Sequence, residues 1–449
     1  MDDLRLQLFS LTKAAQRADE RLSALGSAAL NAVSRKAQQR SSALGLRRGA
    51  DDIPLVISPC SLPREELEAL GRAARLIVSA LVKVARDLID RRPQRARLLF
   101  HHLSPLEQEA LATCSHEAEE LLIARVDWFV DQEGRARALE VNATIPAMPV
   151  YSDVAVRGWL EALAPAGAAQ LFGKNGSNAN WLLDGLLRAA RGRPHKFQLL
   201  HRDGDPQLSE LFALVELLRA RGYQARTVTP ADVLLDGSGI LYRHIFARHV
   251  DQQSPLGRAF LDPVRHGIWN RVDGWLETKG LLGELSDHGA GEAALLTREE
   301  REAVQLLVPW TRLLDDVSDL ELGNGDAHIL KRSHDYGGKS VVIGREAGPS
   351  LFKKALAAAR AEEPGSWVAQ GLVDAPAIAR WVCRRQDGQV AAVRVPLHLD
   401  ISTYASLLEG VPVGGSVCRA APGRVVNIVG GGGVAPLFAD DVLAEALDA

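Results

Sequence analysis

The chain has 449 residues, of which 47% are hydrophobic and 24% are charged, and its formal net charge is −3. This length predicts two or three domains with enough apolar material for a buried core. The balance of charges argues against a protein whose main role is to bind nucleic acid, since such proteins usually carry a basic surplus. The four cysteines include no Cys-x-x-Cys pair, so neither a zinc knuckle nor a disulfide framework is predicted.

The N-terminal segment is charged and amphipathic and has no apolar core of the kind that a signal peptide needs. Nowhere does the chain approach the roughly eighteen uninterrupted apolar residues of a membrane-spanning helix. We therefore expect a cytoplasmic protein that binds neither membrane nor nucleic acid.

Residues 1–120 are rich in Ala, Leu, Arg and Glu, with apolar residues at helical spacing. From Leu70 to Leu88 these residues follow one another in steps of three and four, as an amphipathic helix requires. Ser104 and Pro105 mark another helix start, with serine as the N-cap. We predict a helical N-terminal region over 1–120, and packing is its simplest role.

Residues 121–143 predict a β-hairpin. Leu121–Val130 is apolar and tolerant of β-structure, and Arg135–Ala143 forms a second strand after a turn signal that ends in Gly134. A four-residue loop over 131–134 pairs Val130 with Arg135, and glycine supplies the positive φ that such a loop needs.

The hairpin brings four polar side chains together. Residues two apart on a strand share a face, so Arg125 lies with Asp127, and Glu140 lies with Asn142. A four-residue loop places Arg125 opposite Glu140, and all four side chains then share one face. A three-residue loop would reverse the parity and separate them.

Two carboxylates and an amide oxygen are hard ligands that suit Mg²⁺, which fills its other positions with water and phosphate oxygens. Asp127, Glu140 and Asn142 are therefore candidate magnesium ligands. Arg125 is a candidate for stabilising negative charge on a reacting centre. A solvated hairpin face would show the same four residues, but apolar neighbours such as Val126 favour a buried opposite face and a defined register.

The order Arg-x-Asp, Glu-x-Asn and the Pro-containing segment Asn142–Met148 resembles the metal-binding end of ATP-grasp ligases such as the D-alanine–D-alanine ligases. A Pro-Ala pair stands where that family has Pro-Gly. The segment comes last in most ATP-grasp enzymes but first here, as in glutathionylspermidine synthase and the circularly permuted ATP-grasp proteins. The resemblance implies that Asp127, Glu140 and Asn142 hold Mg²⁺, and that Arg125 stabilises an acyl-phosphate or tetrahedral intermediate.

Residues 195–290 resemble the small Rossmann-like domain that precedes the ATP-binding lobe in ATP-grasp enzymes. Strands are predicted at 196–201, 225–229 and 239–243, and a helix at 209–221, an alternation that favours a small parallel sheet. Arg243 ends the third strand at the carboxyl edge, where ligands of parallel sheets bind, so we predict that it holds a substrate carboxylate.

The phosphate-binding part is predicted at 327–344. A strand ends in Lys331, a loop with Tyr336, Gly337, Gly338 and Lys339 follows, and a second strand begins near residue 340. Glycines let backbone N–H groups approach phosphate oxygens, and the lysines supply positive charge. The loop is not a P-loop, because the first P-loop glycine is missing and a strand, not a helix, follows. A plain hairpin turn would also contain such glycines.

Two further segments match the family's order. Lys279 resembles the helix-start lysine that reaches the nucleotide, although a solvated helix lysine would look the same. Strand 367–373 resembles the one that runs into the adenine hinge, with backbone groups of Gln370, Gly371 and Leu372 against the adenine edge. An ordinary core strand is the alternative.

The C-terminal part predicts a strand at 423–429 followed by a glycine run, as at the end of the permuted family. Arg419 and Asn427 are predicted to reach the phosphates or the substrate, since this end must abut the 121–143 hairpin. The run Gly430–Gly433 would serve equally as a flexible linker.

The resemblance covers about residues 120–440 and implies an α/β (α+β) protein with a circularly permuted ATP-grasp fold. The predicted regions are the helical N-terminal region (1–120), the metal-binding part (121–190), the Rossmann-like domain (195–290) and the ATP-binding lobe with the rest of the core (291–449). The expected cofactors are ATP and Mg²⁺, and the expected activity is ligation of a small-molecule or peptide carboxylate to an amine or thiol. A non-catalytic nucleotide- or peptide-binding protein and a phosphotransferase remain alternatives, and a homodimer is left open.

Overall fold

The computed structural model describes residues 12–113, 121–190, 192–193, 196–290, 295–335, 338, 340–386, 388–428 and 431–449. Helices are formed mostly by Ala- and Leu-rich segments with apolar residues on one side. Within the described residues the α-helices are α1 (Lys13–Ala24), α2 (Ser27–Ala43), α3 (Arg64–Arg91), α4 (Pro93–Phe100), α5 (Pro105–Thr113), α6 (Pro149–Leu163), α7 (Ala168–Asn175), α8 (Asn178–Ala189), α9 (Leu208–Ala220), α10 (Pro255–Phe260), α11 (Pro263–His266), α12 (Lys279–Ala290), α13 (Arg298–Leu307), α14 (Asp319–Leu322), α15 (Gly344–Arg360) and α16 (Asp440–Asp448).

Strands concentrate in the middle and last quarter of the chain. In the same described ranges they are β1 (Arg47–Arg48), β2 (Asp51–Asp52), β3 (Cys60–Leu62), β4 (Ala124–Val130), β5 (Ala136–Asn142), β6 (Lys196–His201), β7 (Gln224–Val228), β8 (Ile240–His244), β9 (Ile268–Trp269), β10 (Thr311–Leu313), β11 (His328–Arg332), β12 (Val341–Ile343), β13 (Trp367–Gly371), β14 (Ala377–Gln386), β15 (Gln389–Ala405), β16 (Ser416–Ala421), β17 (Gly433–Ala435) and β18 (Leu437–Ala439).

A six-stranded antiparallel sheet joins the predicted hairpin to the end of the chain. Its order is β17-β16-β15-β4-β5, and β14 pairs with the first part of β15. The central β15 pairs with β16 on one side and β4 on the other. One face packs into the main core with α3, through buried residues such as Trp128 and Ile401. The hairpin at residues 124–142 and strands from residues 377–435 thus form one surface.

The predicted small parallel sheet is confirmed. Its strand order is β7-β6-β8-β9, and every pairing is parallel. Helix α9 packs on β6 and β7 through Leu211, Leu214 and Leu218, which are buried at helical spacing. The carboxyl ends of β6 and β8 therefore lie side by side, at His201 and His244.

A second antiparallel sheet lies between residues 311 and 371, with the order β10-β13-β11-β12. Helix α15 covers it, and its residues Phe352 and Leu356 pack against Leu330 and Ala369. The predicted strands at 327–332 and 340–344 correspond to β11 and β12. Their antiparallel pairing places the loop that follows Lys331 at the end of this sheet.

The N-terminal helices pack against distant parts of the chain. Helix α2 packs on α6, α1 packs on α16, and β3 pairs in parallel with β18. Short strands β1 and β2 form a hairpin within the region that the sequence predicts to be helical. No helix in the described ranges combines the length and the apolar character that a bilayer crossing requires.

The predicted strand at 423–429 is wrong. Residues 422–428 are irregular, because the place beside β16 is taken by β17 through the pairs of Cys418 with Ala435 and Arg419 with Val434. Residues 429 and 430 lie outside the described residues, and Gly433, at the other end of the glycine run, is the first residue of β17.

Candidate active site

The β4–β5 hairpin reaches the predicted shared face by an unpredicted register. Asp131 accepts a hydrogen bond from Gly134 and donates one to Arg135, so the loop is one residue shorter than predicted. Gly134 has a φ of 79°, as a glycine-closed loop of this length requires. Near the loop the strands therefore pair with reversed parity, as Val130 with Ala136.

A β-bulge then restores the parity. The register shifts between Asp127 and Trp128, where Leu139 is the extra residue of β5. Beyond the bulge, Asp127 pairs with Glu140 and Arg125 pairs with Asn142. The predicted pairing of Arg125 with Glu140 is thus wrong, but the four side chains do share one face.

A chain of buried charges crosses this face. Arg125 donates two hydrogen bonds to Asp127, from Nε at 2.7 Å and Nη2 at 3.0 Å. Arg419 on β16 donates to Oδ2 of Asp127 at 2.9 Å and also to the carboxylate of Asp400 on β15. All four side chains are at least nine-tenths buried. The two arginines balance the two aspartates, so removing any one of the four would leave a net charge in the interior.

The ionisation of these groups follows from the pairing. Burial alone would raise the pKa of Asp127, but the guanidinium groups of Arg125 and Arg419 outweigh burial and hold that pKa well below its usual range. Burial raises the pKa of Asp400 to about 6, against the opposing effect of Arg419. Burial disfavours the charge of Arg419, yet Asp127 and Asp400 raise its pKa above the usual value.

A cavity of about 290 Å³ opens above this face. It brings together residues of the six-stranded sheet, the second antiparallel sheet, α6 and the N-terminal hairpin. Its charged lining residues are Arg48, Arg125, Asp127, Glu140, Lys279, Lys331, Arg332, Asp335, Asp400, Arg419 and Arg424. Its apolar lining residues include Phe129, Leu139, Ile329, Ile343, Leu372, Val373 and Val426. Cations outnumber acids in this lining, which suits a polyanionic ligand with an apolar part.

Lys331 lies at the cavity wall, buried at the end of β11. Its Nζ donates to Oε1 of Gln370 at 2.6 Å. Burial lowers the pKa of Lys331 to about 8, although the carboxylate of Glu140 acts against this change. Anionic phosphate at this position would favour the charged ammonium group and reverse the shift.

The prediction for the strand end at 370–372 needs correction. Gln370 and Gly371 do not line the cavity. The side chain of Gln370 instead positions Lys331 and donates to Thr311. The N–H groups of Gly371 and Leu372 already bond to carbonyls of Trp310 and Ala327, because the strand is paired on both sides. Leu372, just after the end of the strand, does line the cavity.

Lys279 links the hairpin to the loop after β11. Its Nζ donates to the backbone oxygen of Asp335 at 2.7 Å and lies 3.6 Å from Oε2 of Glu140. The first turn of α12 is held to the same loop, since Gly280 N–H donates to Oγ of Ser333. Lys279 therefore lines the cavity and is not a solvated helix lysine.

The three predicted magnesium ligands differ in whether their oxygens are already hydrogen-bonded. Asp127 accepts from Arg125, Arg419 and Asn142, so its oxygens are occupied and it fits the role of an anchor better than that of a ligand. Asn142 uses Nδ2 for that bond, which leaves its Oδ1 as an oxygen donor. Glu140 and Asp335 supply carboxylates to the same cavity.

Glu140, Asn142 and Asp335 thus offer oxygen atoms to one cavity, and oxygen is the ligand type that suits Mg²⁺, which needs few protein ligands when phosphate and water fill the rest. Across the described ranges, no group of three or more His, Cys, Asp or Glu side chains is clustered as a metal site. The fit therefore rests on the chemistry of these donors.

Gly338 is the part of the predicted phosphate loop that the structure describes. It has a φ of 70° and packs so closely on the C-terminal segment that an added Cβ would overlap Cγ1 of Val425. Asn427 lies beside it and also lines the cavity. The predicted residues Tyr336, Gly337 and Lys339 lie outside the described residues.

Arg243 does not have its predicted role. It is fully buried, and its guanidinium donates to backbone carbonyls of Thr144, Ile245, Asn270 and Arg271. It does not line the cavity, because these carbonyls surround the end of β8 and capture the side chain. Burial accordingly lowers the pKa of Arg243 to about 10.

The Pro-containing segment after β5 is held at both ends by buried glutamates. Glu277 accepts from the N–H groups of Ala143 and Thr144 at 2.9 and 2.6 Å. Glu210 accepts from the N–H groups that flank Pro149, each at 3.1 Å. Met148 has a φ of 90°, a strained conformation for a residue other than glycine, and it lines the cavity. The strain is maintained by these anchors.

The charged cavity residues Asp335, Asp400 and Arg48 are among those that the sequence did not identify as site residues. Asp335 follows Lys331 by four positions, in the loop whose glycines and lysines were the predicted phosphate-binding residues. Asp400 belongs to a segment that resembles the end of the permuted ATP-grasp family, but no role was predicted for it, and its bond to Arg419 places it at the cavity. Arg48 belongs to a region whose composition predicts helix.

No family model matches the chain, and no curated protein matches its sequence. The structure is similar to that of a glutathione synthetase-like effector from Globodera pallida in its apo form, with a TM-score of 0.56 and 13% sequence identity. The likeness covers 92% of this chain and 98% of that chain. Identity at this level shows the fold alone: the chain is a mixed α/β protein with several sheets, and its fold resembles that of a glutathione synthetase-like protein.

Proposed function

We propose that the protein is an ATP- and Mg²⁺-dependent ligase with a circularly permuted ATP-grasp fold, which joins a carboxylate to an amine or thiol through an acyl phosphate. One observation carries the proposal: Lys279, Lys331 and Gly338 line the same cavity as Glu140 and Asn142. Phosphate-binding cations, a close-packed glycine and oxygen donors are the parts that acyl-phosphate chemistry requires.

Different residues of the cavity would bind the phosphates, the base and the metal ion. Lys331, Lys279 and the backbone at Gly338 hold phosphate oxygens, and the apolar residues near Leu372 receive the base of the nucleotide. Glu140, Asn142 and Asp335 would hold Mg²⁺, which neutralises phosphate charge when bound.

Arg125 faces the reacting carboxylate. Its bonds to Asp127 and Ala147 use three of the five N–H groups of a guanidinium, and the others are available for an oxyanion. Asp127 keeps this arginine in place and charged, so the electrostatic stabilisation is prepared before the substrate binds.

An ADP-release assay over a panel of acids and amines tests the proposal. We expect release that requires Mg²⁺, and we expect Lys331→Met and Glu140→Gln each to reduce it by at least about 100-fold. Mass analysis of the product separates ligation from phosphate transfer, since a ligase yields an amide or thioester and a phosphotransferase yields a phosphate ester. Nucleotide turnover that is indifferent to both substitutions would refute the assignment.

A non-catalytic binding role is the second candidate, and the full occupation of Asp127 by two arginines favours it. That role predicts nucleotide binding with no ADP release for any acid and amine pair. Calorimetric titration of a non-hydrolysable ATP analogue, combined with the release assay, distinguishes the two.

A further inference from the structure

The N-terminal β1–β2 hairpin forms one wall of the cavity. The carbonyl of Arg47 accepts hydrogen bonds from the hydroxyls of Tyr151 and Ser209 at 2.8 and 2.7 Å. Gly49 N–H donates to the carbonyl of Pro206 at 2.7 Å. These bonds attach the hairpin to α6 and α9, so its position relative to the cavity is well defined.

The two arginines of β1 point to opposite sides, as neighbours on a strand do. Arg47 lies outside the cavity, where its guanidinium bonds to the carbonyl of Ala50 and lies 3.6 Å from Asp52. Arg48 lines the cavity together with Tyr151 and Gln207.

Arg48 differs from the other cavity cations in its lack of a partner. Its backbone pairs with Asp51 in the hairpin, but among the described residues its guanidinium has no hydrogen-bond or ion-pair partner. By contrast, Arg125, Arg419, Arg332 and Arg424 pair with carboxylates, and the two lysines bond to Gln370 and Asp335. A half-buried guanidinium that faces a cavity and has no partner is available to bind an anion.

The neighbours of Arg48 suit an anionic ligand. Burial raises the pKa of the Tyr151 hydroxyl, with Glu210 adding to the rise, so this group stays neutral and does not compete for the guanidinium. The amide of Gln207 offers a further donor. Residues for the phosphates lie on other elements, around β11 and α12, whereas Arg48 lies with α6 and α9.

We propose that Arg48 binds a negatively charged group of the acid substrate, so that this substrate carries a second anionic group, most simply a carboxylate, besides the one that is activated. The inference rests on the proposed ligase function and gives the N-terminal region a role in substrate selection. It also supplies the substrate-binding arginine that Arg243, engaged by carbonyls, does not provide.

The test uses the full chain and two matched variants, Arg48→Gln and Arg47→Gln. The probe is glutarate, a small dicarboxylate, and its half-amide glutaramate, titrated calorimetrically in the presence of a non-hydrolysable ATP analogue. We expect Arg48→Gln to weaken glutarate binding about 10- to 100-fold, the effect of one charge-assisted pair. Arg47→Gln and the wild type should bind glutarate equally, and glutaramate should bind the wild type as weakly as glutarate binds Arg48→Gln.

Each other outcome has a defined meaning. Failure of the wild type to bind glutarate, or equal binding by both variants, overturns the inference. A loss of affinity for the ATP analogue in Arg48→Gln, with glutarate unaffected, assigns Arg48 to nucleotide phosphate and also overturns it. Arg48-dependent glutarate binding without ADP release for any acid overturns the ligase function but leaves the anion site standing.

Discussion

Asp127 and Arg419 lie 292 positions apart in the sequence and form a buried ion pair of 2.9 Å at the centre of the candidate site. The pair joins the front hairpin to a strand near the end of the chain. Arg125 occupies the other side of the same carboxylate, so one acid holds two arginines.

This arrangement gives different roles to Asp127 and Glu140, although the sequence predicts both to be magnesium ligands. We expect Asp127→Asn to lower the free energy of unfolding by about 3–5 kcal/mol, because it leaves the buried guanidinium of Arg125 without a carboxylate and Arg419 with Asp400 alone. Glu140→Gln should change stability by less than about 1 kcal/mol, since this side chain is one-third exposed. Urea denaturation measures the free energy of unfolding of each variant, and the ADP-release assay measures its turnover. Equal stability losses in both variants would contradict the anchoring role of Asp127.

Nucleotide binding should take up protons near pH 8. The folded pKa of Lys331 is about 8, against an ordinary value of 10.5. The unfolded chain therefore binds this proton more tightly, and the group adds stability to the ligand-free protein as pH rises from about 8 to 10.5.

Bound phosphate favours the ammonium form of Lys331, so about half a proton should be taken up per nucleotide at pH 8 and very little at pH 6.5. Calorimetric titration in two buffers of different ionisation enthalpy measures the uptake. Lys331→Met should abolish the difference between buffers at pH 8, and its persistence would assign the proton to another group.

Gly338 is expected to control the approach of its loop to the nucleotide. Gly338→Ala should weaken nucleotide affinity at least about tenfold, because the new methyl group overlaps Val425 and the backbone is at positive φ. Gly388→Ala is the control, since it has a φ of 79° and open space around it. It should cost about 1 kcal/mol of stability through backbone strain and leave nucleotide affinity unchanged.

The strained turn at Met148 should depend on Glu210. Glu210→Leu leaves two buried N–H groups without acceptors and should destabilise the protein by about 2–4 kcal/mol. Hydrogen exchange at Met148 and Val150 should accelerate in this variant. Glu216→Leu, at an exposed position on the same helix α9, should leave both amides protected. Unchanged exchange in Glu210→Leu would mean that other contacts maintain the turn.

The shared face of the hairpin was predictable, but its register was not. Alternation of apolar and polar residues identifies β4 and β5 and the side on which Arg125 and Asp127 lie. The short loop closed by Gly134 and the bulge at Leu139 each reverse the parity, and together they restore it. Nothing in the local pattern distinguishes Leu139 from an ordinary strand residue, because the bulge is set by pairing with β4.

The residues that line the cavity were predictable where a local sequence pattern determines their position, and not where contacts with distant backbone determine it. Lys331 and Gly338 follow from a strand, a loop and a second strand. Arg243 ends a strand as predicted, but carbonyls from two distant segments capture it. Arg48 carries no signal in the sequence, because its exposure to the cavity depends on the docking of β1 against α6 and α9.

The six-stranded sheet has a consequence for how the protein is made. Strand β15, which pairs with β4, and strand β16, which supplies Arg419 to Asp127, leave the ribosome long after the front hairpin. Until then the edge of β4 lacks its neighbour and its acid lacks one of two counter-charges, so a nascent or prematurely terminated chain offers an open strand edge to other molecules. The pocket is therefore assembled all at once near the end of translation, and we expect shortened products to aggregate rather than to retain partial activity.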